Sequence, residues 1–421
     1  MPQLFRQEMV AFEKRILSNG LRVIVHEDHS TPMAAVNILY DVGSRDENPE
    51  RTGFAHLFEH LMFGGSENIP DFDGPIQLAG GENNAFTNAD MTNFYNILPA
   101  QNIETAMWLE SDRMKSLDFS QKALDIQKKV VVEEFNEVCL GVPYGDLWHH
   151  LCALTYKKHP YRWPTIGLVP EHIKEARLED VEAFFYQYYR PCNAILVIAG
   201  NIEKERAFDL AEKWFGEIES GSFHHRELPM EDPQTSYRKQ VIKGNVPMPS
   251  INLAFHMPGR LDPDYYSYDL LSDVLSNGPS SRLYRRMVKE ESIFADIDAF
   301  ITGSIDPGLL IVTGKPMEGI DPQSAIDIVM KELISLSNEQ VKEQELVKLK
   351  NKIESNLVFS EVNILNKAMS LAYFELIGDA EEINREADHY NAVTPIDVQR
   401  AAHAVFRKEN CSEITYIPSD N

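Results

Sequence analysis

The chain has 421 residues, 43% of them hydrophobic and 25% charged, and a formal net charge of −25. That length exceeds one ordinary core and calls for two or more domains, while the negative balance disfavours nucleic acid and anionic membrane as partners. No apolar run approaches the roughly 18 residues of a membrane span, and Met1 to Glu13 carries no apolar signal core; the expected location is the cytoplasm, or the periplasm for a chain whose leader was removed.

Lys14 to Glu27 alternates apolar and polar residues around Ser18-Asn19-Gly20, a hairpin signal. Met33 to Tyr40 reads as the next strand, and the charged stretch Arg45 to Arg51 as loop. Gly53 to Phe63 (Gly-Phe-Ala-His-Leu-Phe-Glu-His-Leu-Met-Phe) reads as a buried helix stopped by Gly64-Gly65. Residues four apart share a helix face, so His56 and His60 can hold one metal ion together, and Glu59 can lean over the same spot to take a proton from water there. This is the inverted-zincin pattern, His-x-x-Glu-His. A core helix with two satisfied histidines is the competing reading at this point.

A short helix near Asp71 to Leu78 and a Gly80-Gly81 turn follow. Asn84 to Leu98 then reads as two strands around Asn88-Ala89-Asp90. Helical spacing covers Ile103 to Ser116, and a longer helix from Gln121 to Val138 carries Glu133, Glu134 and Glu137. Helices near Tyr144 to Thr155 and Leu178 to Tyr189 precede the apolar strand Asn193 to Ala199 and a helix ending near Phe215. Glu217 to Thr235 is polar, His-rich and aperiodic, which places a linker at 219–240 between an N-terminal domain 1–218 and a C-terminal domain 241–421.

Past the linker the order recurs. Strand Ile251 to His256 leads to a helix ending at Asn277-Gly278, strands near Ala295 to Ile301 and Leu309 to Gly314, three or four helices between Pro322 and Phe406, and a strand Glu413 to Ile417. Setting Gly65 on Gly278 pairs Leu57 with Leu270, Leu61 with Val274 and Met62 with Leu275, and drops the His56, Glu59 and His60 positions onto Asp269, Ser272 and Asp273. The second half then reads as a duplicate of the first without its metal chemistry. Cys139, Cys152, Cys192 and Cys411 form no Cys-x-x-Cys pair and read as free thiols.

A catalytic zinc takes about three protein ligands and keeps one open position. Two histidines are therefore incomplete, and a carboxylate or imidazole from another element must join them. The Gln121 helix offers Glu133, Glu134 and Glu137. Here the sequence resembles the pitrilysin and insulysin family of metallopeptidases, most closely its short-chain branch related to the mitochondrial processing peptidase. The resemblance rests on the inverted motif, on Gln127-Lys128-Lys129-Val130-Val131-Val132-Glu133-Glu134-Phe135, on Gly80-Gly81-Glu82-Asn83-Asn84-Ala85-Phe86-Thr87, and on Pro160-Tyr161-Arg162-Trp163-Pro164-Thr165-Ile166-Gly167.

What the resemblance implies is specific. Glu134, 74 residues past His60, is the third ligand of one Zn2+ per chain, and Glu59 is the general base. Gln127 stands where the family usually has a second glutamate, and Gln127 and Glu137 are expected behind the ligands. Asn84, Ala85, Phe86 and Thr87 lie on the edge strand to which a peptide substrate adds. The fold is α+β, two homologous domains each with a largely antiparallel sheet and helices on one face, the LuxS/MPP-like metallohydrolase arrangement. The function is zinc endopeptidase action on peptides or unfolded polypeptides in a chamber formed by a dimer.

One departure stands out. The family carries an Arg and a Tyr after a Ser-Ser-Arg-Leu stretch to bind substrate and oxyanion; here Ser280-Ser281-Arg282-Leu283-Tyr284 is present, but Val288 and Ala295 hold the Arg and Tyr positions. This points to a heterodimer whose homologous partner supplies the pair, with a homodimer as the plain alternative. A non-catalytic assembly subunit of the same fold is the reading from another class.

Overall fold

The Asn19-Gly20 hairpin forms where the alternation predicts it. Glu13–Ile16 (β1) pairs antiparallel with Arg22–Glu27 (β2), and Gly20 takes φ +89°, a left-handed conformation that costs glycine little. The protein is described by a computed structural model over residues 9–222 and 227–419; residues 223–226 of the expected linker lie outside the described residues. The remaining strands are Met33–Tyr40 (β3), Glu82–Thr87 (β4), Thr92–Pro99 (β5), Ala194–Gly200 (β6), Arg238–Gly244 (β7), Ser250–Met257 (β8), Phe294–Ile301 (β9), Gly308–Pro316 (β10) and Cys411–Pro418 (β11). Helices are Phe54–Phe63 (α1), Asp73–Leu78 (α2), Ile103–Lys115 (α3), Gln121–Phe135 (α4), Leu147–Thr155 (α5), Pro170–Lys174 (α6), Leu178–Tyr188 (α7) and Lys204–Phe215 (α8) in the first half. The second half adds Tyr265–Ser276 (α9), Pro322–Asn338 (α10), Glu343–Ser360 (α11), Ile364–Ile377 (α12), Glu386–Ala392 (α13) and Pro395–Val405 (α14).

Two sheets result, ordered β1-β2-β6-β3-β5-β4 and β7-β11-β8-β10-β9. The pairs β2–β6 and β7–β11 are parallel and the other ladders antiparallel. With β1 set aside, the two orders match strand for strand, so the halves share one fold. Helix α1 follows β3 and α9 follows β8, the same slot in each half. Leu57, Leu61 and Met62 are buried, and so are Leu270, Val274 and Leu275, the residues paired with them.

At the metal-motif positions the second helix does something else. Asp269 accepts a hydrogen bond from the Tyr390 hydroxyl, and Asp273 accepts one from Asn277 Nδ2 at 2.6 Å. Burial raises both carboxyls, Asp273 up to about 6. A carboxyl raised in the folded state binds its proton more tightly there than in the unfolded chain. The protonated form therefore favours folding, and stability falls as pH rises from about 4 through 6. Asp273→Asn is expected to raise the Tm by about 2 °C or more at pH 8, where wild type holds a part-buried charge, and by progressively less below pH 6. Thermal unfolding at several pH values checks this; a gain independent of pH would refute it.

Packing divides the chain into two units that interleave in sequence: Met1–Phe135 with Pro164–Leu228 and Asn356–Arg385, and Asn136–Trp163 with Pro229–Ser355 and Glu386–Asn421. This differs from a single cut at 219–240. Helix α5 packs on β7, β8 and β11, while α12 packs on β2, β3 and β6. Since α5 follows α4 and α12 follows α11, each half has lent its equivalent helix to the other half's sheet. The reason lies in the strands. Ala194 to Gly200 is apolar throughout and needs cover on both faces; Ile195, Val197 and Ala199 are buried against Ile364, Ala368, Leu371 and Ala372. Helices therefore lie on one face of the first sheet, and one further helix, α12, covers the other.

Three sequence expectations change in detail. The first three residues of the strand Arg238–Gly244 fall within the expected linker 219–240, because its Arg-Lys-Gln-Val-Ile-Lys-Gly run is polar and leaves Val241 half exposed. Five α-helices, rather than three or four, fall between Pro322 and Phe406 among the described residues. The long helix ends at Phe135 and continues as a π-helical turn, Asn136–Leu140. All four cysteines are free, and Cys139, Cys152 and Cys411 are buried.

Candidate metal centre

Helix α1 is apolar except at His56, Glu59 and His60, and its burial follows that pattern. Phe54, Ala55, Leu57, Phe58, Leu61 and Met62 are buried, whereas His56, Glu59 and His60 are half-buried on the remaining face. Under the buried face, Phe58 stacks on Phe184 at 5.1 Å and on Tyr189 at 5.0 Å between centroids. The start of α1 is held from outside the helix. Glu47 accepts from the backbone N–H of Gly53 at 2.9 Å and of Ala55 at 2.8 Å, a carboxylate at the positive end of the helix. Gly53 has φ +89°, and a Cβ there would sit 2.9 Å from the Ile166 carbonyl oxygen, so only glycine fits. The neighbouring Thr52 hydroxyl accepts from the Leu168 amide at 2.7 Å. The Pro164–Gly167 stretch thus serves to seat helix α1.

Helix α4 packs against α1 and brings Glu134 to the histidine face. His56 Nε2 lies 3.6 Å from Glu134 Oε1, and His60 Nε2 lies 3.2 Å from Glu134 Oε2. These three residues each offer one ligand atom, all within 4.8 Å of one another. Tetrahedral zinc bonds of about 2.0–2.1 Å require ligand atoms about 3.3 Å apart, which the two histidine–carboxylate separations of 3.6 and 3.2 Å approach. An ion pair alone would need protonated histidine, and burial opposes that by pushing His56 below its ordinary value, against the weaker opposite pull of Glu134. Neutral imidazole is the form a metal binds. His56 Nδ1 is buried with no hydrogen-bond partner among the described residues.

Glu59 is held by a residue of another element: Thr87 Oγ1 donates to Glu59 Oε2 at 2.7 Å. Thr87 ends β4, the outermost strand of its sheet, which among the described residues pairs only with β5. Asn84, Ala85 and Phe86 lie along the same strand, where exposed residues alternate with half-buried ones. The Ala85 amide is taken by the Asn84 side-chain oxygen at 2.8 Å. Beside the strand a cavity of about 420 Å³ is lined by Phe63, Ile76, Gln77, Gly81, Asn83 and Asn84, among others.

Gln127 shares the Glu134 face of α4, seven residues away, and its amide nitrogen lies 3.2 Å from where a Cβ on Gly64 would be. It therefore sits at the C-terminal end of α1. Glu137 is exposed in the π-helical turn after α4. In the second half, Arg282 grips Glu345 through Nε at 3.2 Å and Nη2 at 3.0 Å, a structural engagement. Val288 packs against the core of its unit, and Ala295 is exposed on β9. The Glu59–Thr87 bond and the Glu47 cap were not legible in the sequence, since each joins residues whose spacing obeys no helix or strand period. Among the described residues, no helix is long and apolar enough to cross a membrane.

The family model described as "Insulinase (Peptidase family M16)" matches residues 22–167, and that of the "Peptidase M16 inactive domain" matches 176–353. The chain is 25% identical over 418 residues to zinc protease PqqE of Helicobacter pylori, covering 96% of this chain and 93% of that protein. It is 25% identical over 367 residues to the mitochondrial-processing peptidase subunit beta of Saccharomyces cerevisiae, covering 82% and 77%. The crystal structure of a protease from Helicobacter pylori superposes with a TM-score of 0.91 at 24% identity, over 97% of this chain and 100% of that one.

Proposed function

Because the chain belongs to the M16 family of insulinase-type peptidases, we propose that it is a zinc-dependent endopeptidase acting on peptides or unfolded polypeptides. The observation that carries this reading is the convergence of His56, His60 and Glu134 from α1 and α4, with Glu59 beside them. In it, His56, His60 and Glu134 hold one zinc per chain. Zinc bound there would lower the pKa of water and polarise a scissile carbonyl. Glu59 takes the proton of the attacking water and passes it to the leaving amine. A peptide adds as a strand to the free side of β4 along Asn84, Ala85, Phe86 and Thr87. Its backbone supplies the pairing, so many sequences are accepted. Asn84 must then release the Ala85 amide. The cavity lined by Phe63 and Ile76 receives a side chain of that peptide. Gln127 tunes the site from the end of α1.

The dimer is the finer part of the reading. Two subunits enclose the substrate, and this chain is the catalytic one, its partner a homologue supplying the Arg and Tyr that Val288 and Ala295 replace. The yeast relative is itself named as a subunit.

Metal analysis tests the core of the proposal. The purified chain should hold close to one zinc, and His56→Ala, His60→Ala and Glu134→Ala should each lose most of it. Chelation should abolish hydrolysis, and added zinc should restore it. Zinc retained by Glu134→Ala would assign the third ligand elsewhere.

A further inference from the structure

The hydroxyl of Thr87 is donated to Glu59 Oε2 at 2.7 Å from a residue 28 positions away. An ionised carboxylate only accepts, so the direction of this bond is fixed. Its two ends differ in stiffness. Thr87 is β-branched, with restricted χ1, and its backbone is registered against Thr92 in the β4–β5 ladder. Glu59 has three rotatable bonds and lies half-buried on the open face of α1. A glutamate so placed samples several staggered rotamers unless something outside the helix selects one. The sheet, through Thr87, makes that selection.

The bond also distinguishes the two carboxylate oxygens. Oε2 has one of its lone pairs taken by Thr87, so Oε1 is the less engaged oxygen to receive a proton. When the proton arrives on Oε1, Thr87 can keep donating to Oε2, so the side chain need not move during the transfer. We propose that Thr87 is a positioning residue for the general base: it fixes the Glu59 carboxylate from the same strand on which the peptide is seated. This rests on the proposed peptidase reading and gives β4 a second task. The strand that aligns the scissile bond also aligns the group that takes the proton, so the two are set by one rigid element.

The competing role for Thr87 is a plain contact with the peptide, and kinetics separate the two. Thr87→Val keeps the shape and removes the donor, whereas Thr87→Ser keeps the donor. Measured on the zinc-loaded full chain with one fluorogenic peptide, Thr87→Val should lower kcat by about ten- to hundredfold. Its KM should stay within about twofold and its zinc content should not change, while Thr87→Ser should recover most of kcat. In crystals of the metal-free Thr87→Val chain, the Glu59 carboxylate should leave its wild-type position. Wild-type hydrolysis that depends on Glu59 but survives Thr87→Val with kcat intact overturns the role of Thr87 alone, as does a rise in KM without loss of kcat. A Glu59 carboxylate that stays in place in the variant crystal overturns it as well. Wild-type hydrolysis no greater than that of Glu59→Gln would remove the general-base reading, and the role of Thr87 with it.

Discussion

Glu59→Gln should abolish most peptide hydrolysis while leaving zinc in place. The substitution preserves length and shape, and the glutamine carbonyl can still accept from Thr87 Oγ1, as Glu59 Oε2 does at 2.7 Å. What it removes is a basic oxygen. General acid–base assistance contributes about 10²–10⁴ in rate, so kcat should fall by that factor with KM little changed. Zinc content should hold because the ligand atoms belong to His56, His60 and Glu134, which cluster without Glu59. Steady-state kinetics and metal analysis on the same preparation decide it. Unchanged hydrolysis would exclude the mechanism; loss of zinc would show that Glu59 is itself a ligand. If neither wild type nor variant cleaves any peptide, the chain is better read as a non-catalytic subunit of this fold.

Helix α1 was legible in the sequence because two periodicities coincide there. Three polar residues at i, i+3 and i+4 interrupt an otherwise apolar helix, and burial leaves those three on one face. The strands of the first sheet were legible for a similar reason: β3 and β6 are long apolar runs between clear breakers. Glu134 was different. Helix α4 offers Glu133 and Glu134 side by side, and nothing in the helical period selects between them; the family resemblance chose Glu134, and packing of α4 on α1 brings it within 3.2 Å of His60. The exchange of α5 and α12 was hidden because amphipathic helices advertise an apolar face without naming the sheet it will cover. The edge strand β7 was hidden by its own composition, since a strand exposed on alternate residues with Arg, Lys and Gln looks like linker. The Thr87–Glu59 bond is a tertiary contact with no local signal, yet it bears most directly on the chemistry.

The second large effect concerns what the chain lacks. Breakdown of the tetrahedral intermediate in acyl transfer gains from donors aimed at the developing oxyanion, and one such donor is worth about 10²–10³ in kcat. By resemblance, an Arg and a Tyr in the second half would serve that purpose, but Val288 and Ala295 occupy their positions. The nearby Arg282 is tied down by Glu345, which accepts from its Nε at 3.2 Å and its Nη2 at 3.0 Å. Freeing it would leave the part-buried Glu345 carboxylate unpaired, an unfavourable exchange. The zinc-loaded chain on its own should therefore cleave a generic peptide slowly. Mixed with a homologous subunit that carries the Arg and Tyr and lacks the histidines, it should gain about 10²–10³ in kcat. The gain should vanish when the partner's Arg and Tyr are replaced, and it should require Glu59 in this chain. Titration of one subunit against the other, followed by hydrolysis, tests each point. A lone chain already at full rate, unmoved by any partner, would place the oxyanion donors within this subunit and return the assembly to a homodimer.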